Sequence, residues 1–198
     1  MKYQDVARFE FRVFASDLMA VRNAFATLGA SAEQPESRET YIMTRLNVDS
    51  NVKIRADRLE VKGLLGRLRL LEQWQPIFKS AFPVPAGDIE NVVAPALGLD
   101  VELGAAPPLS EAALLVFAAE QPSLASVVVD KQRTLFDLGD CEAEFAELVI
   151  GDEQVQTVAI ESPEAHAAEA LLKRVGLDQM QNESYSVLLQ RRLFSIAR

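Results

Sequence analysis

The chain has 198 residues, of which 49% are hydrophobic, with one cysteine and a formal net charge of −9. That size suits one domain, residues 1–198, able to bury roughly two thirds of its unfolded surface. No apolar run approaches the ~18 residues of a membrane span, the single Cys141 excludes an internal disulfide and a cysteine-based zinc site, and the acidic balance argues against a general nucleic-acid surface.

Charges at Asp5, Arg8, Glu10 and Arg12 interrupt the start of the chain, so no secretory leader is expected there and a reducing cytoplasm is the expected compartment. From Arg8 to Phe14, apolar residues at 9, 11 and 13 alternate with charges at 8, 10 and 12, the period of a strand. A helix follows, capped by Ser16 or Asp17, with Leu18, Val21, Phe25 and Leu28 on one face and Gly29 as its stop. Residues 31–39 are polar and contain Pro35, which predicts a loop, and Thr40 to Leu46 predicts a second strand. Val52–Arg55 and Leu59–Lys62 alternate strictly around Ala56-Asp57-Arg58 and predict a hairpin, broken by Gly63 and Gly66. A short helix is expected around Trp74 from Leu70 to Phe82, another over 89–97, and a third over 109–120 capped by Ser110. Residues 126–136, 142–150 and 154–160 predict three more strands, and helices are expected after Ser162-Pro163 and around Tyr185–Leu193.

Several of these strands carry a charged stripe opposite an apolar one: Lys53/Arg55, Glu60/Lys62, Lys131/Arg133 and Glu142/Glu144 repeat the device of the first strand. Charge is also unevenly distributed, with six basic residues against two acidic between Val52 and Arg69, and eight acidic against Lys79 alone between Leu70 and Asp130. Cations confined to strands suit a compact anion rather than an extended polymer. Polyphosphate needs several cations at fixed positions, Arg making planar bidentate contacts and Lys acting as a point charge. Carboxylates beside such cations make sense where Mg²⁺ bridges protein and phosphate. The element order gives an α+β class, with an antiparallel barrel or a strongly curved sheet and helices around it.

The order of the motifs resembles the CYTH, or triphosphate tunnel metalloenzyme, superfamily over nearly the whole chain. It runs through Glu10/Arg12, Lys53-Ile54-Arg55, Leu59-Glu60-Val61-Lys62, Lys131-Gln132-Arg133, Glu142-Ala143-Glu144, Ile160-Glu161 and Ser184-Tyr185. The resemblance implies an antiparallel eight-stranded β-barrel, a tunnel with helices packed around the outside. It implies that Arg8, Arg12, Lys53, Arg55, Lys62, Lys131 and Arg133 bind the triphosphate of a phosphorylated small molecule. It further implies that Glu10, Glu142, Glu144 and Glu161 hold Mg or Mn, with Glu10 and Glu161 as the catalytic carboxylates of a phosphohydrolase. The first strand of that family reads Glu-x-Glu-x-Lys, whereas this chain has Arg8-x-Glu10-x-Arg12, and Ala159 stands where a later Glu-x-Glu pair would begin. Two alternatives therefore stand beside hydrolysis: a non-catalytic phosphate-binding protein with a degenerate metal site, and a nucleotide cyclase. An exposed barrel face also allows a homodimer. His166 reads as an exposed helix residue, Cys141 as a small buried strand residue, and Trp74 with the phenylalanines as core.

Overall fold

A computed structural model describes residues 6–194. Its strands are β1 (Arg8–Ala15), β2 (Ala30–Glu33), β3 (Ser37–Thr44), β4 (Ser50–Arg55), β5 (Arg58–Leu68), β6 (Leu71–Ala81), β7 (Leu124–Asp137), β8 (Glu142–Ile150) and β9 (Glu153–Ser162). The helices are α1 (Met19–Leu28), α2 (86–96, with a wider π-turn in its middle), α3 (Glu111–Ala119), α4 (Ala165–Arg174) and α5 (Tyr185–Phe194). The strand order is β2-β7-β3-β4-β5-β6-β1-β9-β8, and a further β7–β8 pairing closes it. Eight strands thus form the closed antiparallel barrel expected from the sequence, and β2 is an extra strand on β7. No described helix is long and apolar enough to cross a membrane.

The chain clusters into two compact units. Among the described residues, the first comprises 6–37, Leu64–Gln75 and Val129–Ser184. Here the alternation in β1 has the expected consequence: Phe11 and Val13 join one apolar core with Phe25 of α1, Leu171 and Leu172 of α4, and Phe136, Phe145, Val158 and Ile160 of the neighbouring strands. Fully burying side chains of this size contributes roughly 1.5–3 kcal/mol each. The Phe25 and Phe136 rings lie 5.4 Å apart, centroid to centroid. Gly29 follows α1, and a Cβ there would collide with the backbone oxygen of Asp137. Its backbone is extended, so the requirement is the close approach of two chain segments and not an unusual φ.

The second unit comprises Arg38–Gly63, Pro76–Val128 and, among the described residues, 185–194. Ile42, Val52, Ile54, Leu59 and Val61 pack with Val84, Ile89, Val93 and Leu97 around α2, and with Leu114 of α3. Ser110 caps α3 as expected, its Oγ accepting from the Ala113 amide at 3.2 Å. The β4–β5 turn is tighter than the sequence predicted. Arg55 pairs directly with Arg58, leaving Ala56 (φ 48°) and Asp57 (φ 57°) as the two central residues, both in the left-handed region that such hairpin turns need.

Three expectations are corrected. The stretch predicted as a helix around Trp74 is the strand β6. Pro76 explains this, because inside a helix it would remove a hydrogen bond and clash with the preceding turn. In the strand it lies beyond Glu72–Trp74, where β6 pairs with β1, so the missing N–H costs nothing on that side. The predicted loop over 31–39 holds β2 and the start of β3. Gly63 and Gly66 do not break β5, which continues to Leu68.

Candidate functional site: two charged linings

In the first unit, the face of β1 opposite Phe11 carries Arg8, Glu10 and Arg12, and register fixes what stands beside them. Glu10 pairs with Glu72 of β6 on one side and Glu161 of β9 on the other, and Glu161 pairs with Glu142 of β8. Four carboxylates therefore form one row across four adjacent strands. In the next row Arg12 pairs with Ala159, which pairs with Glu144. Lys131 and Arg133 lie on the same face of β7 as Leu135, the residue opposite Glu144. The first-unit candidates Arg8, Glu10, Arg12, Lys131, Arg133, Glu142, Glu144 and Glu161 thus share this one lining.

Like charges directly opposite one another destabilise a sheet, and here two arginines separate them. Arg12 donates from Nε to Glu10 Oε1 at 3.0 Å and from Nη1 to Glu144 Oε1 at 3.0 Å. Arg8 donates from Nη1 to Glu142 Oε2 at 2.8 Å, and the same atom stands 3.5 Å from Glu161 Oε2. Arg133 Nη1 is 3.7 Å from Glu144 Oε2, and its Nε is buried without a hydrogen-bond partner. Lys131 is buried on the same strand. The backbone of Arg12 is held as well: its N–H donates to Asn182 Oδ1 at 2.9 Å and its carbonyl accepts from the Glu183 N–H at 2.8 Å.

Burial pushes the Glu144 carboxyl up, but Arg12, Lys131 and Arg133 more than reverse this and hold it below its ordinary 4.5. A carboxyl depressed in the folded state contributes stability that is complete above the unfolded value and is lost as pH falls through the folded one. Glu144→Gln should therefore cost stability at neutral pH, and urea unfolding should show its deficit shrinking as the buffer is taken below about pH 4. A deficit equal at both ends would show that the charge of Glu144 is not what matters. Glu72 behaves oppositely. Burial and nearby Glu10 raise its carboxyl despite hydrogen bonds from Trp74 Nε1 (3.1 Å) and Arg67 Nε (3.2 Å).

The second unit has its own charged lining. Lys53 pairs with Glu60, and Lys62 lies on the same face opposite Asn51. Arg55 Nη2 donates to both oxygens of Glu60 at 3.1 Å, and Lys79 Nζ stands 2.8 Å from Glu60 Oε1. Burial raises the Glu60 carboxyl, and Lys53, Lys79 and Arg55 together bring it below 4.5. At the centre is Glu39, 0% exposed. Its Oε2 accepts from Tyr41 Oη at 2.8 Å and Lys53 Nζ at 3.2 Å, and Oε1 lies 3.7 Å from Arg55 Nη1. Tyr41 in turn stacks on Tyr185 of α5.

Sequence reasoning missed Glu39, Glu72, Lys79 and Asn182. Glu39 shares the parity of Tyr41 but fell in a stretch read as loop, and Glu72 was hidden by the helix expected there. Asn182 acts on the backbone, which leaves no periodic signal. Arg58 is exposed at the β4–β5 turn, and His166 is exposed and Cys141 buried, as expected.

The carboxylates Glu10, Glu142, Glu144 and Glu161 were expected to hold Mg or Mn. They share a lining, but guanidinium groups stand between them, and among the described residues no three or more Asp, Glu, His or Cys are grouped to hold a metal ion. A divalent ion needs carboxylate oxygens facing one point, so in this arrangement the set does not fit one.

What the fold and its linings define is a closed antiparallel barrel with charged residues directed away from an apolar, helix-covered face. Several solved structures share this architecture. The PH1012 protein of Pyrococcus horikoshii matches with a TM-score of 0.53 at 15% identity, over 92% of this chain and 98% of that one. The capping-enzyme triphosphatase of Mimivirus matches with a TM-score of 0.52 at 7% identity, over 89% and 90%. A proposed adenylate cyclase from Bacillus halodurans matches with a TM-score of 0.51 at 12% identity, over 96% and 99%. This chain has the fold of the triphosphate tunnel proteins. No protein-family model matches it, and no curated protein matches it in sequence.

Proposed function

We propose that the chain binds a triphosphate- or polyphosphate-bearing small molecule. The observation that carries this reading is Arg133: a buried guanidinium nitrogen without a hydrogen-bond partner, beside buried Lys131 and the Arg12–Glu144 pair. An orphaned buried donor is costly, and a phosphate oxygen accepts strongly from it. Arg8, Arg12, Lys131 and Arg133 are the binding residues of the first unit, and Lys53, Arg55 and Lys62 are the proposed phosphate contacts of the second. The partner is a small phosphorylated molecule in the cytoplasm.

A second reading is favoured by the fold shared with a triphosphatase. In it the bound phosphoanhydride is hydrolysed, with Glu10 and Glu161 as the catalytic carboxylates. The carboxylate set as arranged supports no metal-assisted step, so binding is the stronger reading. Cyclisation of a nucleotide is an outcome of the same experiment.

The test is calorimetry and thermal unfolding of the purified chain with tripolyphosphate, ATP and thiamine triphosphate, together with assays for phosphate, pyrophosphate and cyclic nucleotide release. Binding is expected, with stabilisation of about 2.7 kcal/mol at a hundredfold excess over Kd. Arg133→Ala should weaken it at least about tenfold, the loss of one charge-assisted contact. A chain that binds none of the three loses this function. Release of product would move the conclusion to the enzyme.

A further inference from the structure

We infer that Arg8 and Arg12 are the resident cations of the carboxylate lining, and that phosphate is held there without a divalent metal. The inference rests on the phosphate-binding reading and adds how the negative charge of both protein and ligand is balanced.

The row Glu72–Glu10–Glu161–Glu142 together with Glu144 places five carboxyl groups on four neighbouring strands. Such a set persists only with positive charge among its members, which a divalent ion supplies as two charges at one point. Here two guanidinium groups supply it at two points. One lies between Glu142 and Glu161, the other between Glu10 and Glu144. Ala159 makes the second span feasible. It stands directly between Arg12 and Glu144 in the cross-strand row, and its single methyl lets the guanidinium pass over to a carboxylate on the strand beyond. A glutamate at 159 would occupy that path and present one more carboxylate instead. Arg8 is thus one cation of the lining, and Ala159 makes room for Arg12 to act as a second.

Arg12 is also fixed like a structural ion. It is 5% exposed, with its backbone N–H and C=O both bonded to residues 182–183. Arginine stays protonated at any ordinary pH, so this charge is neither chelated nor titrated away. On the same lining, the partnerless Nε of Arg133 can meet a phosphate oxygen, and the fixed charges of Arg8, Arg12 and Lys131 attract it.

The experiment has two independent readouts. Mn²⁺ binding to the protein alone, followed by electron paramagnetic resonance, should be undetectable for the wild type at millimolar ion. It should appear in Arg12→Gln, where Glu10 and Glu144 face each other without the guanidinium. Arg8→Gln, which opens Glu142 and Glu161, serves the same purpose should Arg12→Gln fail to fold. Separately, the tripolyphosphate Kd of the wild type should change less than threefold between chelator and Mg²⁺ at matched free ligand. In chelator the variant should bind at least tenfold more weakly. Mn²⁺ bound by the wild type, or a Kd that tightens tenfold or more with Mg²⁺, overturns the inference. Absence of tripolyphosphate binding under every condition overturns the phosphate reading instead, and the Mn²⁺ readout still decides whether the arginines are the resident cations.

Discussion

Replacing Glu39 with alanine is expected to cost about 3–5 kcal/mol of folding stability, the range found when one partner of a buried ion pair is removed. The carboxylate is completely buried and gathers Tyr41, Lys53 and Arg55. Without it, Lys53 loses the carboxylate 3.2 Å from its Nζ, and the Tyr41 hydroxyl loses the oxygen to which it donates at 2.8 Å. Glu39→Gln keeps a hydrogen-bond acceptor for Tyr41 but not the charge, so it should fall between the wild type and the alanine variant. Denaturant midpoints at constant slope would measure both. A Glu39→Ala protein within about 0.5 kcal/mol of wild type, the range of ordinary surface substitutions, would show that the cluster does not depend on this carboxylate.

Phe11→Ala should cost as much for a different reason. Phe11 is 0% exposed in the first unit's core, and removing such a ring leaves lost transfer energy plus a cavity, about 3–5 kcal/mol. Phe11 and Arg12 are adjacent but point to opposite faces of β1. The folded fraction of Phe11→Ala should therefore bind tripolyphosphate with nearly unchanged affinity, whereas Arg12→Gln changes binding. If Phe11→Ala weakened binding tenfold in conditions where it is fully folded, the two faces of β1 would not be separable.

Much of this was legible because period-two patterning is a direct record of a strand with two different environments. Strands β1, β4, β5, β8 and β9 all announce themselves by alternation, and the parity of Arg8, Lys53, Lys131 and Glu142 was right for the linings. Strand β6 was not legible, because Trp74, Ile77 and Phe78 around Pro76 mimic helical spacing, and the proline's harmless position is a fact of pairing with β1. Glu39 and Glu72 disappeared with the elements that carry them. Nor could the sequence show that the cations were already engaged. Glu10 and Arg12 two residues apart share a face, but the reach of Arg12 to Glu144 depends on the β1–β9–β8 register and on Ala159 between them. The cations expected to stand open for a ligand are interleaved with carboxylates, and that is a property of three strands rather than of any one.

The partners of β1 come from far along the chain. It pairs with Glu72–Trp74 only over Arg8–Glu10, with β9 over seven residues, and beyond Glu10 its other edge is completed by Asn182 and Glu183. During synthesis the first strand must therefore wait, unpaired on one side, because even its nearest β9 partner, Gln156 opposite Ala15, lies more than 140 residues further on. Contacts this distant in sequence form slowly, because the loop must close before any pairing rewards it. The charged lining of the first unit can therefore form only after β8 and β9 have been made.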